Sequence, residues 1–235
     1  GYLARSGLSV LMLERLDKIG GAMTTDEFAP GFWGPMCAYV LHGFQGKVID
    51  DLKLRQHGFE VARRADSYGR FHPFPDGSFF GGPGALPDLD IAGQIRARSE
   101  HDARSYLAWV AFWEQAGAII RPYFLTEPPS VADLVESVRG TAREEVLEKL
   151  LTWSFLELLD EYFDDEHVRA FVLRTPECDA RGAGSMLGTA IRQAEASREE
   201  DKGVPRGSMG AVIDAIASAV RSLGVEIRTG APVQR

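Results

Sequence analysis

Apolar residues change their period along this chain, and the changes mark its elements. Leu8-Ser9-Val10-Leu11-Met12-Leu13 is a near-continuous apolar run that stops at Glu14-Arg15. Such a run reads as a strand buried on both faces of a parallel sheet. Val225-Glu226-Ile227-Arg228 alternates instead, as an edge strand does. Between these two, Thr24 to Phe28 reads as a short strand. Pro30-Gly31 makes a turn, and Phe32-Trp33-Gly34-Pro35 reads as a loop of aromatics and breakers. Lys47 to Gln56 carries Val48, Ile49 and Leu52 on one helical face, with Gly58 as its stop. Phe59 to Ala62 alternates like a strand. Asp76-Gly77, set between Arg70–Pro75 and Ser78–Phe80, is a hairpin signal, because Asp-Gly tolerates the positive φ angles of a tight turn.

From Asp90 the period becomes helical. Tyr106, Trp109, Val110, Trp113, Ala116 and Ile120 recur at three- and four-residue steps. Ser130 with Asp133, and Thr141 with Glu144, have capping-box spacing and predict two helix starts. Leu147, Leu150, Leu151, Phe155, Leu158 and Leu159 form one apolar stripe. Asp164-Asp165-Glu166 starts a further helix to Leu173, and the charged stretch 188–202 reads as an exposed helix or loop. Gly203 to Gly210 is a glycine-rich approach to a last helix, whose stripe is Val212, Ile216, Ala219, Val220 and Leu223 and whose stop is Gly224. A strand, a long insertion, a helix and a second strand imply an α/β fold with a parallel sheet. The implied division is 1–45 and 205–235 as the two segments of one domain. The insertion, 46–204, is a mainly helical (α+β) domain.

Composition narrows the function. The 235 residues are 45% hydrophobic and 26% charged, as in a globular protein with a core. A net charge of −8 argues against a nucleic-acid surface. Cys37 and Cys178 lie too far apart in sequence for a disulfide framework or zinc spacing, which suits a reducing, cytoplasmic location. His42, His57, His72, His101 and His167 have no metal spacing and read as structural or exposed, so no metal is expected. The apolar stretch 107–113 is cut by Glu114 and Gln115, short of the roughly 20 residues a bilayer span needs. Gly1 to Gly7 reads as the last turns of a helix whose start is missing, and Ala231 to Arg235 as a strand just beginning; both ends look cut.

Ligands of such sheets sit beyond the carboxyl ends of the strands. Glu14 therefore stands where an acidic side chain accepts hydrogen bonds from a ribose. Gly20 and Gly21 follow in a loop that lets a phosphate or flavin approach the backbone. Glu14-Arg15 with Gly20-Gly21-Ala22-Met23-Thr24-Thr25, joined to Pro205-Arg206-Gly207-Ser208-Met209-Gly210 and Val225 to Val233, resembles the phytoene-desaturase-like FAD-dependent oxidoreductases. The nearest branch is the pyridine nucleotide-disulphide oxidoreductase domain-containing proteins.

The resemblance implies a partial FAD-binding Rossmann-like sheet with an inserted substrate domain. Glu14 would hold the adenosine ribose of FAD, and Gly20 and Gly21 would line the pyrophosphate and ribityl path. Ala22, Met23 and Thr24 would lead toward the flavin, and Val233 would hold the adenine through its backbone. Many relatives carry a basic residue after the glycine pair; here Ala22 stands there, and Arg15 is the candidate to compensate. The first strand and its Gly-x-Gly-x-x-Gly turn would precede Gly1, so the chain alone is expected to hold FAD poorly.

The implied activity is dehydrogenation, desaturation or isomerisation of an apolar, isoprenoid-like substrate by hydride transfer to flavin. No residue stands out as a catalytic acid or base. Such a substrate admits peripheral contact with a membrane. Gly207, Met209 and Gly210 are candidates to face flavin or substrate, and Trp109, Phe112 and Trp113 to form either core or an apolar channel. Two alternatives remain at this point. One is an NAD-dependent dehydrogenase, since an acidic residue after the second strand also suits an NAD ribose. The other is a non-catalytic binding or scaffold protein derived from a flavoprotein.

Overall fold

The computed structural model describes residues 1–64, 71–81, 91–173, 179–194 and 199–234. Arg70, Asp90, Cys178 and 195–198, which entered the sequence reading, lie outside these. The chain forms two compact units, Gly1–Ser67 with Ser197–Arg235, and Tyr68–Ala196.

The elements, in chain order, begin with α1 (Tyr2–Arg5), β1 (Leu11–Leu13), β2 (Thr25–Ala29), β3 (Phe32–Pro35), α2 (Gly46–Asp51) and β4 (Val61–Arg64). Then come β5 (Phe71–Pro73), β6 (Phe79–Gly81), α3 (Ile91–Arg96), α4 (Glu100–Ile120), α5 (Val131–Val138) and α6 (Arg143–Thr152). The chain continues through α7 (Phe155–Tyr162), α8 (Glu166–Leu173), α9 (Leu187–Ala194), β7 (Gly203–Pro205), α10 (Ser208–Ser222) and β8 (Glu226–Arg228).

In the first unit β1 pairs with β8 in parallel, with Leu11 opposite Glu226, Met12 opposite Ile227 and Leu13 opposite Arg228. Two segments more than 200 residues apart thus become neighbours in one sheet, as the apolar pattern predicts. The burial of β1 does not follow the prediction. Leu11, Met12 and Leu13 are each close to half exposed. β1 has β8 as its strand neighbour, and among the described residues neither of its faces is fully covered by a packed layer.

Phe32 to Pro35, read as a loop, is a strand. It pairs antiparallel with β2 around Pro30-Gly31, and a bulge interrupts the register between Glu27 and Ala29. The aromatics that mimic a loop are side chains of an exposed hairpin: Phe28, Phe32 and Trp33 are all about two-thirds exposed. The approach to the last helix is also partly a strand. β7 pairs antiparallel with β4, and Leu41 bridges to Gly203. These pairings place 46–64 and 199–204 in the first unit with its two end segments. The core of this unit is Leu41, Ile49, Leu54 and Phe59 packed on the α10 stripe of Met209, Val212, Ala215 and Ala219.

The second unit opens with the predicted β5–β6 hairpin, His72 opposite Phe80 and residues 75–77 in the loop. Asp76 accepts from the Ser78 hydroxyl (2.6 Å) and N–H (2.9 Å), bonds that hold its carboxyl down at about 2. α4 carries Trp109, Phe112, Trp113 and Ala116 into a core completed by Phe80, Leu150, Phe155, Leu158 and Val168. The Ser130–Asp133 capping box is formed. At α6 the cap is incomplete: Ala142 occupies the capping position, while Glu144 Oε1 accepts the Gly140 N–H at 2.8 Å. The stripe from Leu147 to Leu159 divides into α6 and α7 at Trp153-Ser154, where Ser154 and Glu157 form a second complete capping box. α9 is not an exposed segment, since Ala190 is fully buried in the core.

Candidate functional site

Glu14 follows β1 directly. Its N–H donates to Arg228 O at 2.8 Å, extending the parallel ladder by one rung. Its carbonyl accepts from Ala231 N–H at 2.8 Å, and Leu16 O accepts from Gly230 N–H at 2.7 Å. These bonds hold the loop after β8 against the loop after β1, so Val233, itself exposed, lies two residues from a contact with Glu14. Glu14 Oε1 accepts the Leu16 N–H at 2.8 Å. Its other oxygen has no hydrogen-bond partner among the described residues. Arg15 is exposed, with no ion pair among the described residues.

Gly20 and Gly21 adopt φ of +126° and +53°, where an L side chain is strained. They differ in surroundings. A Cβ on Gly20 would meet Thr24 Cγ2 at 3.2 Å and Ile213 Cγ1 at 3.4 Å, whereas one on Gly21 would meet nothing within 4 Å. Gly20 thus serves close packing, and Gly21 presents bare backbone to open space. Ala22 is exposed and its carbonyl accepts from Ala38 N–H at 2.9 Å. Met23 packs its side chain against the core, so only its backbone is free to face a ligand. Thr24 is buried.

Thr24 and Thr25 line a cleft of about 540 Å³ with Gly207 and Gly210. Gly210 stands close to β2: its N–H donates to Thr25 Oγ1 at 2.9 Å. Met209 does not face this cleft, correcting the sequence reading; it is 3% exposed and belongs to the α10 stripe in the core. Sequence reasoning missed the charged lining, Asp17, Lys18, Asp214 and Arg221. Asp214 and Arg221 lie seven residues apart on α10, two turns on one face, which is a readable signal. Lys18 pairs with Asp26.

The second unit has its own cleft, about 550 Å³ in volume, walled by Phe71, Tyr106, Trp109, Trp113 and Phe171. His72, Glu114 and Gln193 are its polar members. Trp109 and Trp113 are therefore both core and wall. Phe112 lines a smaller cleft of about 190 Å³ beside Lys149 and Tyr162. His101, Asp102 and Asp164 bring ligand atoms within 4.8 Å of one another. The buried Asp102 oxygens already accept from Asp164 N–H (3.1 Å) and Asp165 N–H (2.9 Å).

A parallel strand pair with an acidic tip and a glycine turn beyond it is an arrangement that nucleotide-binding α/β proteins share. The chain belongs to the family of flavin containing amine oxidoreductases, whose model matches residues 2–235. It is 26% identical to pyridine nucleotide-disulfide oxidoreductase domain-containing protein 2 of Rattus norvegicus, over 97% of this chain and 44% of that protein. The Mus musculus protein matches at the same identity and coverage. This chain thus spans less than half the length of those relatives. Wild-type putrescine oxidase bound to putrescine has the same fold, with a TM-score of 0.60 and 18% identity over 99% of this chain and 47% of that one. Family membership agrees with the flavin expectation and speaks against the NAD alternative. Among the described residues no helix is long and apolar enough to cross a membrane.

The residues at the β1 tip fit an FAD. One Glu14 carboxylate oxygen is open to a hydroxyl donor, and a Cβ on Gly21 would meet nothing within 4 Å. The 229–233 loop is tied to the same tip.

Proposed function

We propose that this chain is part of an FAD-dependent oxidoreductase of the dehydrogenase, desaturase or isomerase type, acting on an apolar substrate. Bound FAD accepts the hydride, which is the cofactor's own chemistry. This chain's residues bind and orient. Glu14 accepts hydrogen bonds from the adenosine ribose, and the backbone at Val233 holds the adenine. Gly20 to Thr24 carry the path toward the flavin, with Arg15 as its nearby cation. The aromatic cleft of the second unit receives the apolar, isoprenoid-like substrate. The observation that carries this reading is the parallel β1–β8 pair, which brings Glu14 beside the 229–233 loop.

A second reading has its own support. Glu114 among aromatic rings suits a protonated amine, as the family description suggests. The test is reduction of bound FAD by candidate substrates under anaerobic conditions, using the whole protein that carries this chain. Bleaching of the flavin band by apolar hydrocarbons or alcohols supports the first reading, and bleaching by amines alone supports the second. Failure of the whole protein to take up flavin favours the scaffold alternative.

A further inference from the structure

His72 lines the cleft of the second unit, and its imidazole is unpaired among the described residues. His72 lies on β5, half-buried, its ring 4.9 Å from that of Phe74 and 5.9 Å from that of Phe171. Neither ring nitrogen has a hydrogen-bond partner among the described residues. Its neighbours in the cleft are Phe71, Tyr106, Trp109, Trp113 and Phe171, with the exposed Glu114. An imidazole nitrogen with no protein partner can bond to one that enters from outside. Here the open volume, within the roughly 300–1,000 Å³ usual for small ligands, is where that partner fits.

We propose that this cleft binds an apolar molecule ending in a hydroxyl, and that His72 receives the hydroxyl. The rings take the apolar body. A hydroxyl both donates and accepts, so it matches imidazole in either tautomer. A carboxylate end brings a charge among the rings with no lysine or arginine in the described lining to meet it. An ammonium end needs an anion at its own depth, and the exposed charge of Glu114 is screened by solvent. The inference names the polar end of the apolar substrate proposed above and rests on that reading. Its test contains no flavin, so failure here leaves the cofactor assignment standing, and the reverse also holds.

Trp109 and Trp113 wall the cleft, so tryptophan fluorescence reports its occupancy. The protein is titrated above the histidine range with phenylbutanol, pentylbenzene and phenylbutylamine. His72→Phe is expected to weaken phenylbutanol about tenfold and pentylbenzene by less than about twofold. His72→Gln, which keeps a donor and an acceptor, is expected to recover part of the alcohol affinity. Equal losses for alcohol and hydrocarbon in His72→Phe overturn the proposal, as does absence of any binding to the wild type. Phenylbutylamine binding tighter than phenylbutanol, with that lead lost in Glu114→Gln, overturns it in favour of charge recognition.

Discussion

The N–H of Gly210 donates to Thr25 Oγ1 at 2.9 Å. It is one of the first amides of α10, which a helix leaves without a partner of its own. β2 supplies the missing acceptor from 185 residues away in sequence. The approach needs a glycine: a Cβ at position 210 would lie 2.9 Å from Thr25 Oγ1 and 3.1 Å from Thr25 Cβ.

Two substitutions follow from that contact. Thr25→Val keeps the shape and removes the acceptor, at an expected cost of about 1 kcal/mol. Gly210→Ala forces the helix away from β2 and costs about 1–3 kcal/mol. Combined, Thr25→Ala and Gly210→Ala should lose less than the sum of the single losses, because the smaller side chain makes room. Urea midpoints measure all of these; unchanged midpoints would show that this contact contributes nothing.

Asp102 is fully buried at the start of α4, capped by Ser99 and bonded to the amides of Asp164 and Asp165. Burial pushes its carboxyl up, but these amides, with His101 and Ser99, outweigh burial and hold it below its usual 3.8. A depressed folded value means stability that is present above pH ~4 and is lost as pH falls below it. Asp102→Asn puts an amide where two donors need acceptors, and should cost about 2–3 kcal/mol at neutral pH. The variant should also lose less stability than the wild type between neutral and acid pH. Parallel pH profiles of the two proteins would contradict this assignment.

Local chemistry of the chain was legible where one signal dominated. The Leu8–Leu13 run and the Val225–Arg228 alternation foretold the parallel pair, and Asp76-Gly77 foretold the hairpin. Where two signals competed, local composition misled. Phe32 to Pro35 carries a proline and a glycine yet forms a strand, because the partner β2 decides its pairing. Ala190 sits in a charged stretch that hides a buried small-residue face. Met209 lies in a glycine-rich segment, but its place in the α10 stripe sends it to the core. The place of Glu14 at the β1 tip was legible from the apolar run before it. The charged lining of the cleft was legible only along α10, at Asp214 and Arg221; Asp17 and Lys18 join it only through the fold.

The division of the Leu147–Leu159 stripe is itself testable. Ser154 Oγ accepts from Glu157 N–H at 3.2 Å, and Glu157 Oε2 accepts from Ser154 N–H at 2.7 Å. This box competes with the helical period, and it wins because it satisfies donors at the start of α7. Ser154→Ala should destabilise the protein by about 1 kcal/mol. Ser154→Asp, which retains a capping oxygen, should cost less in the same thermal unfolding assay.

Glu14 allows charge and structure to be separated. Glu14→Gln keeps an oxygen for the Leu16 N–H and removes the charge, so stability should stay within about 0.5 kcal/mol of wild type. Hydrogen bonds to a charged acceptor contribute about 1.5–3 kcal/mol, against about 0.5–1.5 for a neutral one. FAD affinity should therefore fall by about tenfold in Glu14→Gln and further in Glu14→Ala. Flavin fluorescence titration reads both. Wild-type affinity in Glu14→Gln would remove Glu14 from the ribose, and with it the reason the β1 tip is read as a flavin site.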